Sequence, residues 1–281
     1  MKTSLFQSTN HPYSPRRIAG VLAAAFCTVA LVAACALFLE GCFDSGESSL
    51  SSPRNLPQNG YDYARLVDTG GVKSYRGADG KMAAEGIDVS SHNQQIDWQA
   101  VAASGVDFAY IRAGYRGYTE GKIWEDEAFA YNIEGATNAG LDVGVYFFSQ
   151  AITEQEAREE ADWVIDAVGG YNLHYPVAFD LEENGVKNER IAGLNRAEQT
   201  AIAQAFCNRV RERGFGAIIY GNNLWLDGHY DLEALIDNYD LWYADYANQP
   251  GQTYRFRMWQ YTSSGEVPGV SGSVDRNLCF Y

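Results

Sequence analysis

The sequence is short of several things, and each shortage removes a class of function. Basic residues are outnumbered: 21 Lys and Arg stand against 36 Asp and Glu, for a net charge of −15. Nucleic-acid affinity comes from cations that neutralise phosphates, and no basic patch exists, so DNA and RNA are excluded as partners. There is no C-x-x-C pair, which argues against a structural zinc site. No G-x-S-x-G elbow is present, so a serine hydrolase of the α/β type lacks support. The glycines at Gly214 and Gly216 lead into a strand and lack a third member, unlike a dinucleotide fingerprint. No cofactor is called for. Cysteine is sparse too: of 5, Cys27 and Cys35 lie in an apolar run and Cys42 at its edge. That leaves Cys207 and Cys279 for the folded part, where pairing outside the cell stays open.

What is present begins with that apolar run. Arg16 and Arg17 precede residues 18–39, which carry no charge. About 20 apolar residues span a bilayer, more than a secretory h-region needs. The arginines place residues 1–17 in the cytoplasm. The expectation is a single-pass transmembrane anchor with the folded domain outside. A cleaved signal peptide and a lipoprotein processed at Cys35 or Cys42 remain alternatives, and all three export the domain. Residues 43–60 are rich in Ser, Pro, Asn and Gly and read as a flexible linker. Residues 61–85 form an extension whose Tyr61, Tyr63 and Tyr75 suit packing on the domain that follows.

From Gly86 to the end, short β-branched and aromatic runs alternate with amphipathic stretches. The runs are 86–90, 108–114, 143–149, 176–182, 217–222, 241–246, 256–262 and 274–281, short as buried strands should be. Helix patterns fall at 98–104, 125–139, 154–168 and 196–213. Strand and helix in repetition argue for an α/β fold with parallel strands. Eight strands suggest a closed barrel, yet residues 86–281 fall below the roughly 250 of a complete one. The connections 247–255 and 263–273 are too short for a helical crossover of about a dozen residues. The fold expected is therefore an incomplete TIM-like barrel, with about five β/α units closed by three strands lacking helices. The last strand should run antiparallel to the one before it, which carries Asp275 to the rim where the other strands end.

Acidic residues gather at that rim. In Pro176-Val-Ala-Phe-Asp-Leu-Glu182 the period of two puts Asp180 and Glu182 on one face, at the end of a barrel strand where such folds keep their chemistry. Two close carboxyls cannot both ionise cheaply, so one pKa rises. Glycosidic cleavage needs that asymmetry, with one carboxyl holding a proton for the leaving oxygen and another charged. The plain alternative is that the pair caps a helix or meets Arg190. Asp88 ends the first strand and Asp275 begins the last, and a closed barrel makes those strands neighbours. Four acids from three strands should then converge at one mouth.

Taken together, GIDVSSHNQQIDW, YIRAGYR, GVYFFSQA, PVAFDLE, IIYGN, LWYADY and WQYTSSGEVPGVSGSVDRN resemble glycoside hydrolase family 25, the Chalaropsis-type N-acetylmuramidase lysozymes. The likeness runs from about Gly86 to the end, with motifs in order at nearly every strand. It implies a hydrolase that cuts the β-1,4 bond between N-acetylmuramic acid and N-acetylglucosamine in bacterial peptidoglycan. It also implies an incomplete β/α barrel. Carried over by motif, Glu182 is the proton donor, Asp180 the second carboxylate, and Asp88 and Asp275 complete the catalytic cluster. Retention is implied, with the nucleophile open between the substrate's 2-acetamido group, oriented by Asp180, and a protein carboxylate.

The partners expected are peptidoglycan glycan strands and the membrane, with the chain a monomer. Candidate sugar-binding residues at the strand ends are Tyr115, Tyr146, Phe148, Trp242 and Gln260, with Trp259 and Tyr261 as further aromatic platforms. Arg112 either pairs within the core, neutralising an acid, or meets a muramyl carboxylate. His92 reads as a loop tie. Two rival readings use the same residues. A metal-dependent hydrolase would place Mg²⁺ or Ca²⁺ among the carboxylates, though such sites often recruit His and the His residues here lie elsewhere. A catalytically inactive wall-binding barrel is the other, against which the intact Asp180 and Glu182 speak.

Overall fold

A computed structural model describes residues 56–280. The expected cytoplasmic tail at 1–17, the expected anchor at 18–39 and residues 43–55 of the expected linker lie outside the described residues. Among the described residues no helix is long and apolar enough to cross a membrane.

Two short strands come first, β1 (Leu66–Thr69) and β2 (Val72–Tyr75), paired as an antiparallel hairpin. The barrel follows with β3 (Ala84–Val89), β4 (Phe108–Arg116), β6 (Asp142–Ser149), β7 (Val177–Leu181), β8 (Ala217–Asn222), β9 (Asp240–Ala244), β10 (Met258–Gly265) and β11 (Val274–Cys279). Neighbours from β3 through β10 pair in parallel, while β11 runs antiparallel to both β10 and β3. The β3–β4 and β3–β11 pairings close the ring, an eight-stranded mixed barrel. Helices Trp98–Ala103, Phe129–Asn138, Glu154–Ala167, Arg196–Glu212 and Leu232–Ile236 follow the first five barrel strands, and β9, β10 and β11 have none. One further strand, β5 (Ile123–Glu125), pairs antiparallel with the end of β4. Its residues include Glu125, expected as the start of a helix that instead begins at Phe129.

Strand periodicity sorts the side chains. Ala84, Phe108, Tyr110, Ala178, Ile218, Trp242, Met258 and Cys279 fill the barrel interior. Their neighbours, such as Val143, Val145, Phe147, Phe179 and Ile219, face outward and join the larger outer core. A Cβ at Gly86 would stand 2.3 Å from the Phe108 ring, so glycine there lets that ring cross the interior. Cys207 and Cys279 are both buried and free, so the pairing left open above is not made.

Helices cover most of the outer wall, but not at β10 and β11. There Trp259 and Tyr261 point outward, away from the mouth, and are nonetheless buried. Residues 56–83 cover this side of the wall. Gln58 bridges Tyr254, and the Tyr61 hydroxyl donates to the Phe256 carbonyl at 2.7 Å. The Tyr61 ring stacks on Phe280 at 4.2 Å, and Lys73 sits 5.7 Å over the Trp259 ring. The linker reading is therefore corrected at its end: Leu56 is buried and residues 57–59 bond to the loop before β10. Trp259 and Tyr261 are corrected likewise, from sugar platforms to outer-wall core.

Large apolar side chains contribute roughly 1.5–3 kcal/mol each when fully buried, against a net stability of about 5–15 kcal/mol. A chain begun at residue 86 uncovers Trp259, Tyr261, Phe256 and Phe280 together. It is expected to lose the cooperative thermal transition that a chain begun at residue 52 shows by circular dichroism. Superimposable melts for the two would show that the extension contributes nothing.

Candidate active site

The C-terminal ends of the parallel strands open into a cavity of about 350 Å³. Asp88, Asp180, Glu182 and Asp275 all line it, with Tyr146, Phe148, Trp242, Gln260 and Arg112. The reason is topological. Asp180 and Glu182 lie two apart at the end of β7, so both turn inward. Asp88 and Asp275 are direct partners across the antiparallel β3–β11 pair, as barrel closure requires. The alternative reading of the β7 acids fails on its partner, because Arg190 pairs with Glu156 at 2.7 Å.

Each acid has its own surroundings. Asp88 is buried, and its Oδ2 accepts from Gln260 Nε2 at 2.9 Å and Asn277 Nδ2 at 2.8 Å. Burial raises its pKa to about 6 while those two donors pull it down. Glu182 is half-buried at the mouth, and its carboxyl is pushed up to about 7 by burial and then by the Asp88 charge. Asp275, also half-buried, is pushed up to about 8 by burial and then by Asp88 and Glu182. Asp180 is buried, and its Oδ1 finds no hydrogen-bond donor among the described residues. Its pKa lies well above the usual carboxylate range, through burial first, then the charges of Glu182 and Asp88, with Arg112 opposing. Such a site holds protons at neutral pH on groups that ordinarily lose them.

The backbone beneath Glu182 is fixed from behind. Gln150 Nε2 donates to the Glu182 carbonyl at 3.2 Å and to Glu189 Oε1 at 3.2 Å. Buried Glu189 also accepts from the Asn184 amide, and Asn184 Nδ2 donates to the Tyr118 hydroxyl at 2.7 Å. Loop residues far from the reacting atoms thus set where the β7 acid stands.

Arg112 and Tyr115 stand apart from the other candidates at the mouth. Arg112 points inward but pairs with none of the four acids. Its guanidinium holds buried Asp126 at 2.7 Å and reaches Ser91 Oγ at 3.3 Å, so a core ion pair is formed while the side chain still lines the cavity. Tyr115 does not line the cavity. A bulge in β4 between Arg112 and Gly114 adds a residue against β6 and puts Tyr115 on the same inward face as Arg112, so packing on that side chain, not strand parity, keeps it out of the lining. Its ring lies 5.4 Å from the guanidinium. His92 does line the cavity, and the loop tie comes from its backbone N–H to Ser90 Oγ and from Asn93. Burial and the nearby Arg112 lower the His92 pKa.

Sequence reasoning missed Tyr118, Tyr220, Tyr246 and Asn277. Tyr220 and Asn277 were within reach of the argument used for Glu182: Tyr220 lies on β8 two residues from inward Ile218, and Asn277 two from Asp275. Tyr118 and Tyr246 follow strand ends, where periodicity says nothing. Among the described residues no group of three His, Cys, Asp or Glu side chains is arranged to hold a metal ion.

Comparison with known proteins adds a lineage. The model of glycosyl hydrolases family 25 matches residues 87–270. Lysozyme M1 of Streptomyces globisporus is 30% identical over 202 residues, 69% of this chain and 66% of that protein. An autolytic lysozyme of Clostridium acetobutylicum is 28% identical over 193 residues, 68% of this chain and 54% of that one. Among solved structures, the modular autolysin LytC from Streptococcus pneumoniae in complex with synthetic peptidoglycan ligand superposes with a TM-score of 0.65. It is 26% identical, over 76% of this chain and 52% of that chain. The chain spans about half to two thirds of the length of these relatives.

Proposed function

The chain belongs to glycosyl hydrolases family 25, and from that premise we propose that it is a muramidase of bacterial peptidoglycan. The bond cut is the β-1,4 link between N-acetylmuramic acid and N-acetylglucosamine, and Glu182 is the general acid. The observation that carries this reading is the convergence of Asp88, Asp180, Glu182 and Asp275 on one mouth, with Glu182 titrating near neutrality. A carboxyl that keeps its proton at the working pH can give it to a leaving oxygen.

In the proposed reaction the glycosidic oxygen takes the Glu182 proton as its bond to C1 breaks. The oxygen of the substrate's 2-acetamido group closes on C1 from the opposite face. The acetamido N–H supplies Asp180 Oδ1 with a donor that no described residue provides, which favours the charged form of Asp180 as substrate binds. Water then attacks C1 and returns its proton to Glu182, restoring the acetamido group with net retention. Substrate assistance of this kind is an established variant of the two-carboxylate scheme. Tyr146, Phe148 and Trp242 offer apolar surface for the sugar faces along the same mouth. The partners follow as peptidoglycan glycan strands and, through residues 18–39, the membrane, with the catalytic domain outside the cell.

Digestion of isolated peptidoglycan followed by mass spectrometry of the products tests the proposal. Muropeptides with N-acetylmuramic acid at the reducing end are expected. Products ending in N-acetylglucosamine, or an unaltered wall, would overturn it.

A further inference from the structure

Asp88 sits at the centre of a hydrogen-bond network whose direction is set from outside. The Trp242 indole N–H donates to Asn277 Oδ1 at 2.8 Å. An indole nitrogen can only donate, so the Asn277 amide is pinned with its oxygen toward Trp242 and its NH₂ toward Asp88. Gln260 is held in the same sense. Its Oε1 accepts from the Tyr220 hydroxyl at 3.0 Å and from the Tyr246 hydroxyl at 2.9 Å, leaving Nε2 for Asp88. Both amides therefore present N–H groups to the same carboxylate oxygen. A protonated oxygen there would set its own hydrogen against two donors.

We propose that Gln260 and Asn277 are positioning residues that hold Asp88 as the fixed anion of the cluster, and that Asp88 in turn keeps the transferable proton on Glu182. The proposal rests on the reading of Glu182 as the acid. The groups that respond to the Asp88 charge come from the surrounding strands. They are Glu182 and Asp180 from β7, Asp275 from β11, Tyr146 from β6, Tyr220 from β8 and Tyr246 beyond β9. Asp88 is the one carboxyl of the four with hydrogen bonds from two side-chain amides. It is therefore the first of the four to ionise, and its charge then opposes loss of the proton from Glu182.

The test combines carboxyl ¹³C titration by NMR with the pH dependence of turnover, on the full chain. In Gln260→Met, loss of one charge-assisted hydrogen bond is expected to raise the Asp88 midpoint by about one pH unit. With Asp88 less charged near neutrality, the Glu182 midpoint and the alkaline limb of kcat against pH should both move down, with KM within about threefold. Tyr246→Phe, at a rim residue 56% exposed, removes one of the hydroxyls that orient Gln260 and should give a smaller shift in the same direction even if Gln260→Met does not fold. In Asp88→Asn the Glu182 midpoint should fall toward the ordinary carboxyl range. A stationary Asp88 midpoint in both network variants overturns the role of the amides, and a stationary Glu182 midpoint in Asp88→Asn overturns the role of Asp88. A lower kcat with unmoved limbs marks a merely structural contribution and overturns it too. The midpoints are read without turnover, so retained activity in Glu182→Gln would remove the acid assignment while leaving the network to be judged separately.

Discussion

Glu182→Gln is expected to leave the barrel folded and to lower release of reducing ends from peptidoglycan by about 10²–10⁴-fold, the range typical of general acid catalysis. The amide has nearly the shape of the carboxyl but no proton to transfer. The position is half-buried at the mouth, and its backbone carbonyl is held by Gln150 whatever the side chain. An unchanged circular dichroism melt beside the lost turnover would tie the loss to chemistry. The wild-type pH profile carries the same information. Burial and the Asp88 charge push the Glu182 carboxyl up to about 7, so activity should decline on the alkaline side as the proton is lost, and what the variant retains should not follow that decline. Undiminished turnover would remove Glu182 from the role.

Asp180→Asn should lower turnover and raise stability, which is the less intuitive result. The substituted side chain cannot offer a charged oxygen to the acetamido group, and loss of one preorganised interaction of that kind costs about 10²–10³-fold. Stability moves the other way through proton linkage. The native pKa of Asp180 lies above its unfolded value, so between the two the native state binds more protons than the unfolded chain. Stability therefore falls as pH rises through that window. Below about pH 4, where both states are protonated, the cost vanishes. The amide removes it throughout. At neutral pH the gain should be about 1–2 kcal/mol, or roughly 3–6 °C in Tm for a domain of this size, and it should disappear in acid. A variant that melts lower than wild type at pH 7 would show that Asp180 is satisfied in the native state.

Both results rest on positions whose face was readable in one dimension. The period of two put Asp180 beside Glu182, and inter-strand spacings too short for a helix required a barrel whose last three strands lack one. Closure of such a barrel makes Asp88 and Asp275 neighbours. Parity along a strand says which way a side chain points because the pleat is local. It does not say what the side chain meets. The Asn277–Asp88 bond joins residues 189 apart in the chain, and no local pattern encodes that contact.

The remaining surprises share this origin. One inserted residue at the β4 bulge turned Tyr115 toward Arg112, and a bulge is a property of the strand pair rather than of either sequence. Arg112 took Asp126 as its partner because β5 and the residues after it fold back beside Ser91. Trp259 and Tyr261 have aromatic character that suits a sugar as well as a core. The distinction between the two uses depended on which side of the wall residues 56–83 would cover. Local periodicity and connection lengths thus specified the strands, their faces and the gathering of acids. Long-range packing specified the partners, and with them which carboxyl gives up its proton first.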